Sequence, residues 1–215
     1  MMNYWAVVPL KSPQHAKSRL AAVLSASQRR KLLFALAQHV VGALRATPGI
    51  ARVAVVTASE EVARFSAALG AVVLRQSDDA GTAEAFAFGL SQLEIQRPHG
   101  VLMVPGDLPL ISPLSVRAVL DAAPLTGVVV VPDRRGIGTN MLLCVPPNAI
   151  APAFGADSLR RHLAAAGAAG VPARRLEVEA LALDLDEPED LELLSRSPSP
   201  RMAILLQALR IAQAA

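Results

Sequence analysis

The feature that most narrows the fold of this chain is an alternation. Short, β-prone apolar runs at 4–8, 52–57, 71–74, 100–104, 128–131 and 141–145 are separated by stretches with helical spacing. Strands that alternate with helices of about 10–20 residues imply an α/β fold, because a crossover helix is what brings the next strand back parallel to the last. The expected architecture is a mostly parallel central sheet with helices on both faces. Punctuation agrees with this. Ser25 and Gln28 have capping-box spacing and open a helix to about Arg45, which Thr47-Pro48-Gly49 ends. Ser59, Thr82, Ser112-Pro113 and Asp157/Ser158 open further helices, the last running to about Ala166. A strand is expected at 174–178. The run 181–185 leads into Glu187-Pro188-Glu189, the start of a helix to Leu194.

The main domain is read as residues 1–195. Residues 196–215 form an appendage: a Ser/Pro linker, then an apolar helical tail with Leu205, Leu206 and Leu209 on one side. That face is expected to bury against its own domain or against a second copy of the chain, as a homodimer.

Composition removes several classes of function. Cys144 is the single cysteine, so there is no internal disulfide framework and no cysteine-rich zinc site. Aromatic residues are 3% of the chain, too few for a base-stacking platform, so no nucleic-acid partner is expected. No apolar run reaches the length of a membrane span, and the apolar patch at 4–10 lacks a basic flank before it. The expected location is the cytoplasm, with no membrane partner. Cys144 and His162 are read as structural.

Charge is unevenly placed. Residues 1–50 carry seven Lys/Arg and no Asp or Glu, whereas the remainder holds 14 basic against 18 acidic residues. A cationic opening followed by isolated acids suits a polyphosphate held by bases on one wall and by a metal on the other.

Open α/β sheets bind ligands beyond the carboxyl ends of their strands. That singles out the loops at 9–20, 76–84, 105–110, 132–139 and 184–187. The first carries Lys11, Lys17 and Arg19 just after the first strand, suited to phosphates. It is neither a GxxxxGK[ST] loop nor a GxGxxG turn. Asp107, in Pro105-Gly106-Asp107-Leu108-Pro109-Leu110, ends a buried strand and faces the crevice. A carboxylate there needs a cation or an N–H partner. A hard metal such as Mg²⁺ takes one or two carboxylates plus phosphate oxygens. Asp184 and Asp186 are the candidates to join Asp107, on the same side of the chain if a strand continues to Asp186. For Asp186 a helix-capping role stands equally. Arg134, Arg135 and Thr139, in the glycine-bearing loop 132–140, and Gly155 and Ser158, before a helix start, are candidate donors to an acidic substrate. Asp133 and Asp157 are expected to organise backbone.

Taken together, these motifs resemble the 2-phospho-L-lactate guanylyltransferase family, which includes phosphoenolpyruvate guanylyltransferases. The match is ordered over about 4–195: Lys11 and Ala16-Lys17-Ser18-Arg19-Leu20, Asp107-Leu108-Pro109-Leu110, Asp133-Arg134-Arg135-Gly136-Ile137-Gly138-Thr139-Asn140, Phe154-Gly155 with Ser158, and the 183–191 run. The 133–140 element is the most specific. The resemblance implies a Rossmann-like GT-A nucleotidyltransferase fold. It also implies a Mg²⁺-dependent transfer of GMP from GTP to a small phosphorylated acid, in biosynthesis of the deazaflavin coenzyme. The product would pass to a deazaflavin-modifying transferase. Asp107 and Asp184 would be metal ligands. Lys11, Lys17 and Arg19 would serve the triphosphate or the acceptor phosphate, with Gly81 near the nucleotide. Thr139, Gly155 and Ser158 would hold the acceptor's acidic groups. Where the family often has Gly-Leu-Asn-Ala-Ala-Leu, this chain has Gly81-Thr82-Ala83-Glu84-Ala85-Phe86. A related nucleotidyltransferase for a molybdopterin or sugar phosphate would show LxxGxGxR in the first loop, which is absent. A non-catalytic nucleotide-binding module would have lost an acid, and both are present.

Overall fold

A computed structural model describes residues 3–93 and 96–196. The linker and tail, including Leu205, Leu206 and Leu209, lie outside the described residues beyond position 196.

In chain order the strands are β1 (Tyr4–Pro9), β2 (Ile50–Thr57), β3 (Val72–Arg75), β4 (Gly100–Met103), β5 (Gly127–Pro132), β6 (Thr139–Val145) and β7 (Ala173–Arg175). The helices are α1 (Ala26–Arg45), α2 (Glu60–Ala68), α3 (Thr82–Gln92), α4 (Pro113–Asp121), α5 (Ser158–Ala169), α6 (Glu179–Ala182) and α7 (Pro188–Ser195), with a 3-10 turn at Ser18–Ala22. The sheet order is β3-β2-β1-β4-β6-β5-β7. Every neighbouring pair is parallel except those of β6, which runs antiparallel to both β4 and β5.

This order explains the burial pattern. β5 and β6 are buried at every residue, as strands covered on both faces must be, and both carry unbroken apolar runs, Val128–Val131 and Met141–Val145. At one edge, β7 is three exposed residues, Ala-Arg-Arg, too short and too charged to recruit another strand. On one face Ala6, Val8, Val55 and Val129 pack with Leu33, Val40 and Leu44 of α1 and Val116 of α4. On the other, Val7, Met103 and Leu142 pack with Phe86 of α3 and Leu159 of α5. The expected capping box of Ser25 with Gln28 forms, and the expected N-cap Ser112 makes a second box with Ser115.

A third apolar cluster sets the site. Leu20, Leu24, Leu32 and Leu36 bury against Leu183, Leu185 and Leu194. Each buried leucine contributes roughly 1.5–3 kcal/mol, so this cluster pins the cationic first loop to the acid-bearing segment near the other end of the domain.

The structure corrects four local expectations. The edge strand expected at 174–178 stops at Arg175, although the Leu176 N–H still reaches the Val130 carbonyl at 3.0 Å. The run 181–185 is not a strand: one helical turn, α6, precedes an irregular segment at 183–186. Alternation survives there nonetheless, because Leu181, Leu183 and Leu185 are buried while Asp184 and Asp186 are half-buried. β6 begins at Thr139 and not at Met141, so Thr139 and Asn140 belong to the sheet. Asp157 precedes α5 with φ 52° and makes no side-chain cap.

Candidate functional site

Strands β2 and β3 lie on one side of β1, and β4 lies on the other. The chain therefore switches direction between β1 and β4, and a crevice opens beyond their carboxyl ends. The loop after β1 and the loop after β4 meet there, which brings Lys17 and Asp107 together across 90 positions.

The result is a cleft of about 690 Å³. Lys11, Lys17, Arg19, Asp107, Asp184, Asp186, Arg134, Arg135, Thr139, Gly155 and Ser158 all line it. Gly81 caps α3 between Ala80 and Thr82, which also line it.

Lys17 is the hinge of the charged wall. Its Nζ donates to Asp107 Oδ2 at 2.7 Å and lies 3.6 Å from Asp186 Oδ1. Only 7% of its side chain is exposed. Its backbone has φ 54° and ψ 36°, a left-handed conformation that costs a residue with a Cβ roughly 1–2 kcal/mol. Backbone strain of this kind persists where the surroundings fix it. Here the Leu20 anchor and the two carboxylates do so. Arg19 donates to Asp186 Oδ2 at 2.8 Å, so Asp186 takes a cation on each oxygen.

Asp107 and Asp184 are less satisfied. Asp107 Oδ1 is buried and has no hydrogen-bond partner. Asp184 is pushed up to about 6 by burial first and then by the Asp107 charge. The Leu185 N–H donates to the Asp107 carbonyl at 3.0 Å, tying the two acid-bearing segments backbone to backbone. Among the described residues no cluster of three or more His, Cys, Asp or Glu is preformed for a metal, since Lys17 stands between Asp107 and Asp186.

Asp190 lies behind this wall. One oxygen accepts the N–H groups of Asp186 (3.0 Å) and Glu187 (2.7 Å), and the other accepts Arg134 Nη2 at 2.8 Å. Burial alone would raise its carboxyl, but these two N–H groups and the guanidinium outweigh it and hold it low. Arg135 in turn donates to Glu187 at 2.5 Å. The two arginines of the 134–140 loop therefore line the cleft already paired with acids. Asp133 closes that loop by accepting the N–H groups of Ile137 (2.9 Å) and Gly138 (3.0 Å), the backbone role expected of it.

The opposite wall carries one acid, Asp157, among uncharged groups. Thr139 is buried, and its hydroxyl lies 3.0 Å from His162 Nδ1. Gly155, at φ 109°, turns the chain before α5, and Ser158 is buried at the first helical position. The Arg161 guanidinium fastens the Phe154 carbonyl at 2.9 Å.

Two contributors were not singled out from sequence. Asp79 accepts the Ser12 N–H on both oxygens at 3.1 Å and lies 2.7 Å from His15 Nδ1, so it fastens the first loop from the 76–84 side. Its signal was an acid in a loop already placed beside the ligand. Asp190 sits in the first turn of α7, where an acid needs no further reason. Its burial depends on Arg134, 56 positions away, and no local pattern reports that.

A mostly parallel sheet with one reversed strand, and a crevice carrying a basic loop after β1 and an acid after β4, fits a nucleotidyltransferase, the class that its guanylyltransferase relatives carry by name. A protein of Desulfovibrio desulfuricans G20 assigned as a nucleotide-diphospho-sugar transferase has the same fold, with a TM-score of 0.78 at 15% identity over all of this chain and 96% of its own. Residues 4–211 match the family described as guanylyl transferase CofC like, and the chain belongs to it. It is 40% identical to a phosphoenolpyruvate guanylyltransferase of Sphaerobacter thermophilus, over 90% of this chain and 93% of that one. It is 36% identical to a 3-phospho-D-glycerate guanylyltransferase of Phenylobacterium zucineum, over 91% of each.

Proposed function

We propose that this protein transfers GMP from GTP to the phosphate of a small phosphorylated acid, phosphoenolpyruvate in the first instance, with release of pyrophosphate. The observation that carries the reading is the division of one cleft into two walls. Cations and convergent carboxylates line one, and neutral donors at Thr139 and Ser158 line the other.

In this reading the triphosphate lies along Lys11, Lys17 and Arg19, with Gly81 at the nucleotide side. The acceptor lies against Thr139, Gly155 and Ser158, with Arg134 and Arg135 beside it. The acceptor phosphate oxygen forms a bond to the α-phosphorus of GTP, and the bond from that phosphorus to the β-phosphate oxygen breaks. A phosphate is already ionised near neutral pH, so no general base is required. No protein nucleophile is required either, and burial raises the only cysteine, Cys144, to about 12. Catalysis is then alignment and charge neutralisation by fixed groups.

A divalent cation, Mg²⁺ in this reading, fits the acidic wall. Asp107 has a buried oxygen with no partner, and Asp184 is a half-buried carboxyl facing it. Asp107, Asp184 and Asp186 would hold the ion. When bound, it would act as a Lewis acid on the phosphate oxygens. Lys17 holds Asp107 and Asp186 in place without it. Family membership supports placing the reaction in deazaflavin coenzyme biosynthesis, with the product passed to a deazaflavin-modifying transferase. A soluble cytoplasmic setting belongs to the same reading, and no helix among the described residues is long and apolar enough to cross a membrane.

The test is pyrophosphate release from purified protein, with each of four nucleoside triphosphates against phosphoenolpyruvate, 2-phospho-L-lactate and 3-phospho-D-glycerate. Release that requires both GTP and phosphoenolpyruvate supports the reading. A preference for another base, or turnover only with a sugar phosphate, overturns it.

A further inference from the structure

His162 is fully buried on α5, and the mechanism above does not use it. It nevertheless joins two walls of the cleft. Its Nε2 lies 2.8 Å from the Ala153 N–H, and its Nδ1 lies 3.0 Å from the Thr139 hydroxyl. The ring packs edge-on against Phe154, 5.0 Å between centroids, and Phe154 lines the cleft.

These contacts fix where the protons are. The backbone N–H of Ala153 can only donate, so Nε2 must accept and carries no hydrogen. A neutral imidazole then carries its hydrogen on Nδ1, and Nδ1 donates to Thr139 Oγ1. A cationic ring would set two donors against each other at Ala153. Burial, with the Arg161 charge adding to it, pushes His162 down to about 4, in keeping with the neutral form. The Thr139 oxygen is thus an acceptor within the protein. Its own hydrogen makes no hydrogen bond among the described residues, and Thr139 lines the cleft.

We infer that His162 is a positioning residue for acceptor recognition: by donating from Nδ1 it turns the Thr139 hydroxyl into a fixed hydrogen donor aimed at the acidic group of the phosphorylated acid. The inference rests on the reading of this cleft as a guanylyltransferase site, and it adds a residue that touches no substrate. A hydroxyl held this way meets an anion without first rotating away from a competing acceptor. The same ring holds Ala153, so Thr139 and the 153–158 segment keep one spacing.

The variants separate the two ring nitrogens. His162→Phe keeps the aromatic packing and loses both hydrogen bonds. It should raise the KM for phosphoenolpyruvate by about ten- to a hundredfold, with the KM for GTP moving less than about twofold. His162→Asn places an amide nitrogen where Nδ1 was and should recover most of the acceptor affinity. His162→Gln reaches the Nε2 position only and should not. In a Thr139→Val background, His162→Phe should add less than about twofold, because the hydroxyl it orients is gone. The ¹⁵N shifts of His162 in the wild-type protein, which need no turnover and no variant, should show the proton on Nδ1.

An unchanged acceptor KM in His162→Phe overturns the inference. So do effects that multiply in the Thr139→Val background, a Gln variant that rescues while Asn does not, or a proton on Nε2. Wild-type protein that turns over neither phosphoenolpyruvate nor 3-phospho-D-glycerate defeats the reaction reading and the acceptor role together. Normal turnover with an Nε2 proton defeats this inference alone.

Discussion

Replacing Asp184 with asparagine should make the metal-free protein more stable, and more so as pH rises. In the folded chain the Asp184 carboxyl is raised from 3.8 to about 6, first by burial and then by the Asp107 charge. The folded state therefore binds this proton more tightly than the unfolded chain does. Below pH 3.8 the carboxyl is neutral in both states and costs nothing. Between 3.8 and about 6 stability falls as pH rises, and above 6 the full penalty is present. The gap between the two values corresponds to roughly 3 kcal/mol, an upper bound because the side chain keeps some access to water. An asparagine of the same shape carries no charge and removes this penalty. Chemical denaturation of both proteins in chelator, at pH 5 and pH 8, measures it. The variant should gain about 1–3 kcal/mol at pH 8 and roughly half of that at pH 5. Adding Mg²⁺ should raise the midpoint of the wild type and leave that of Asp184→Asn nearly unmoved. A variant less stable than wild type at pH 8, or a gain that does not depend on pH, refutes the argument that Asp184 is an under-compensated carboxylate.

Three other outcomes follow from the same geometry. Lys17→Met leaves Asp107 and Asp186 facing each other without their shared cation, and kcat should fall on the order of a hundredfold or more, read by pyrophosphate release at saturating substrates. Asp79→Asn weakens the double acceptor for the Ser12 N–H, and the KM for GTP should rise several-fold, by about 1 kcal/mol of binding, with that for the acceptor little changed. His162 is held neutral, near 4 against an ordinary 6.5, so the unfolded chain takes its proton first as pH falls. Stability should therefore drop between pH 6.5 and 4 by up to roughly 3 kcal/mol, and His162→Phe, if it folds, should flatten that segment of a denaturation profile.

Much of the fold is legible in sequence because its signals are local. The valine run of β5, the capping box of α1, and the Ser112 N-cap with the proline after it each fix an element by short-range physics. The reversal of β6 carries no such signal, since a strand buried on both faces reads the same in either direction. The site divides in the same way. Asp107 and Lys17 are legible because they lie in loops that follow buried strands, where an open α/β sheet binds its ligand. That Lys17 would take both Asp107 and Asp186 is a fact of packing, made by the leucine cluster that joins the first loop to 183–185. The pairing of Arg134 with Asp190 is equally non-local, and so is the selection of one histidine nitrogen by the Ala153 N–H. For Asp184 and Asp186 the expected strand is absent, yet both half-buried carboxylates line the cleft, because period-two burial of the leucines needs only an extended chain and no ladder.

The central claim is that one cleft holds a nucleotide on the wall of Lys11, Lys17 and Arg19 and a phosphorylated acid on the wall of Thr139, Gly155 and Ser158, and joins them. Following the α-phosphate tests it most directly. GTP labelled at the α-phosphorus is incubated with purified protein, Mg²⁺ and phosphoenolpyruvate, and the products are separated and weighed by mass spectrometry. The account predicts a labelled species whose mass is GMP plus phosphoenolpyruvate less water, formed one for one with pyrophosphate. That species should be absent without the acid and nearly absent with Asp107→Asn. Label that remains in GTP, or that appears as free GMP whether or not the acid is present, would contradict it.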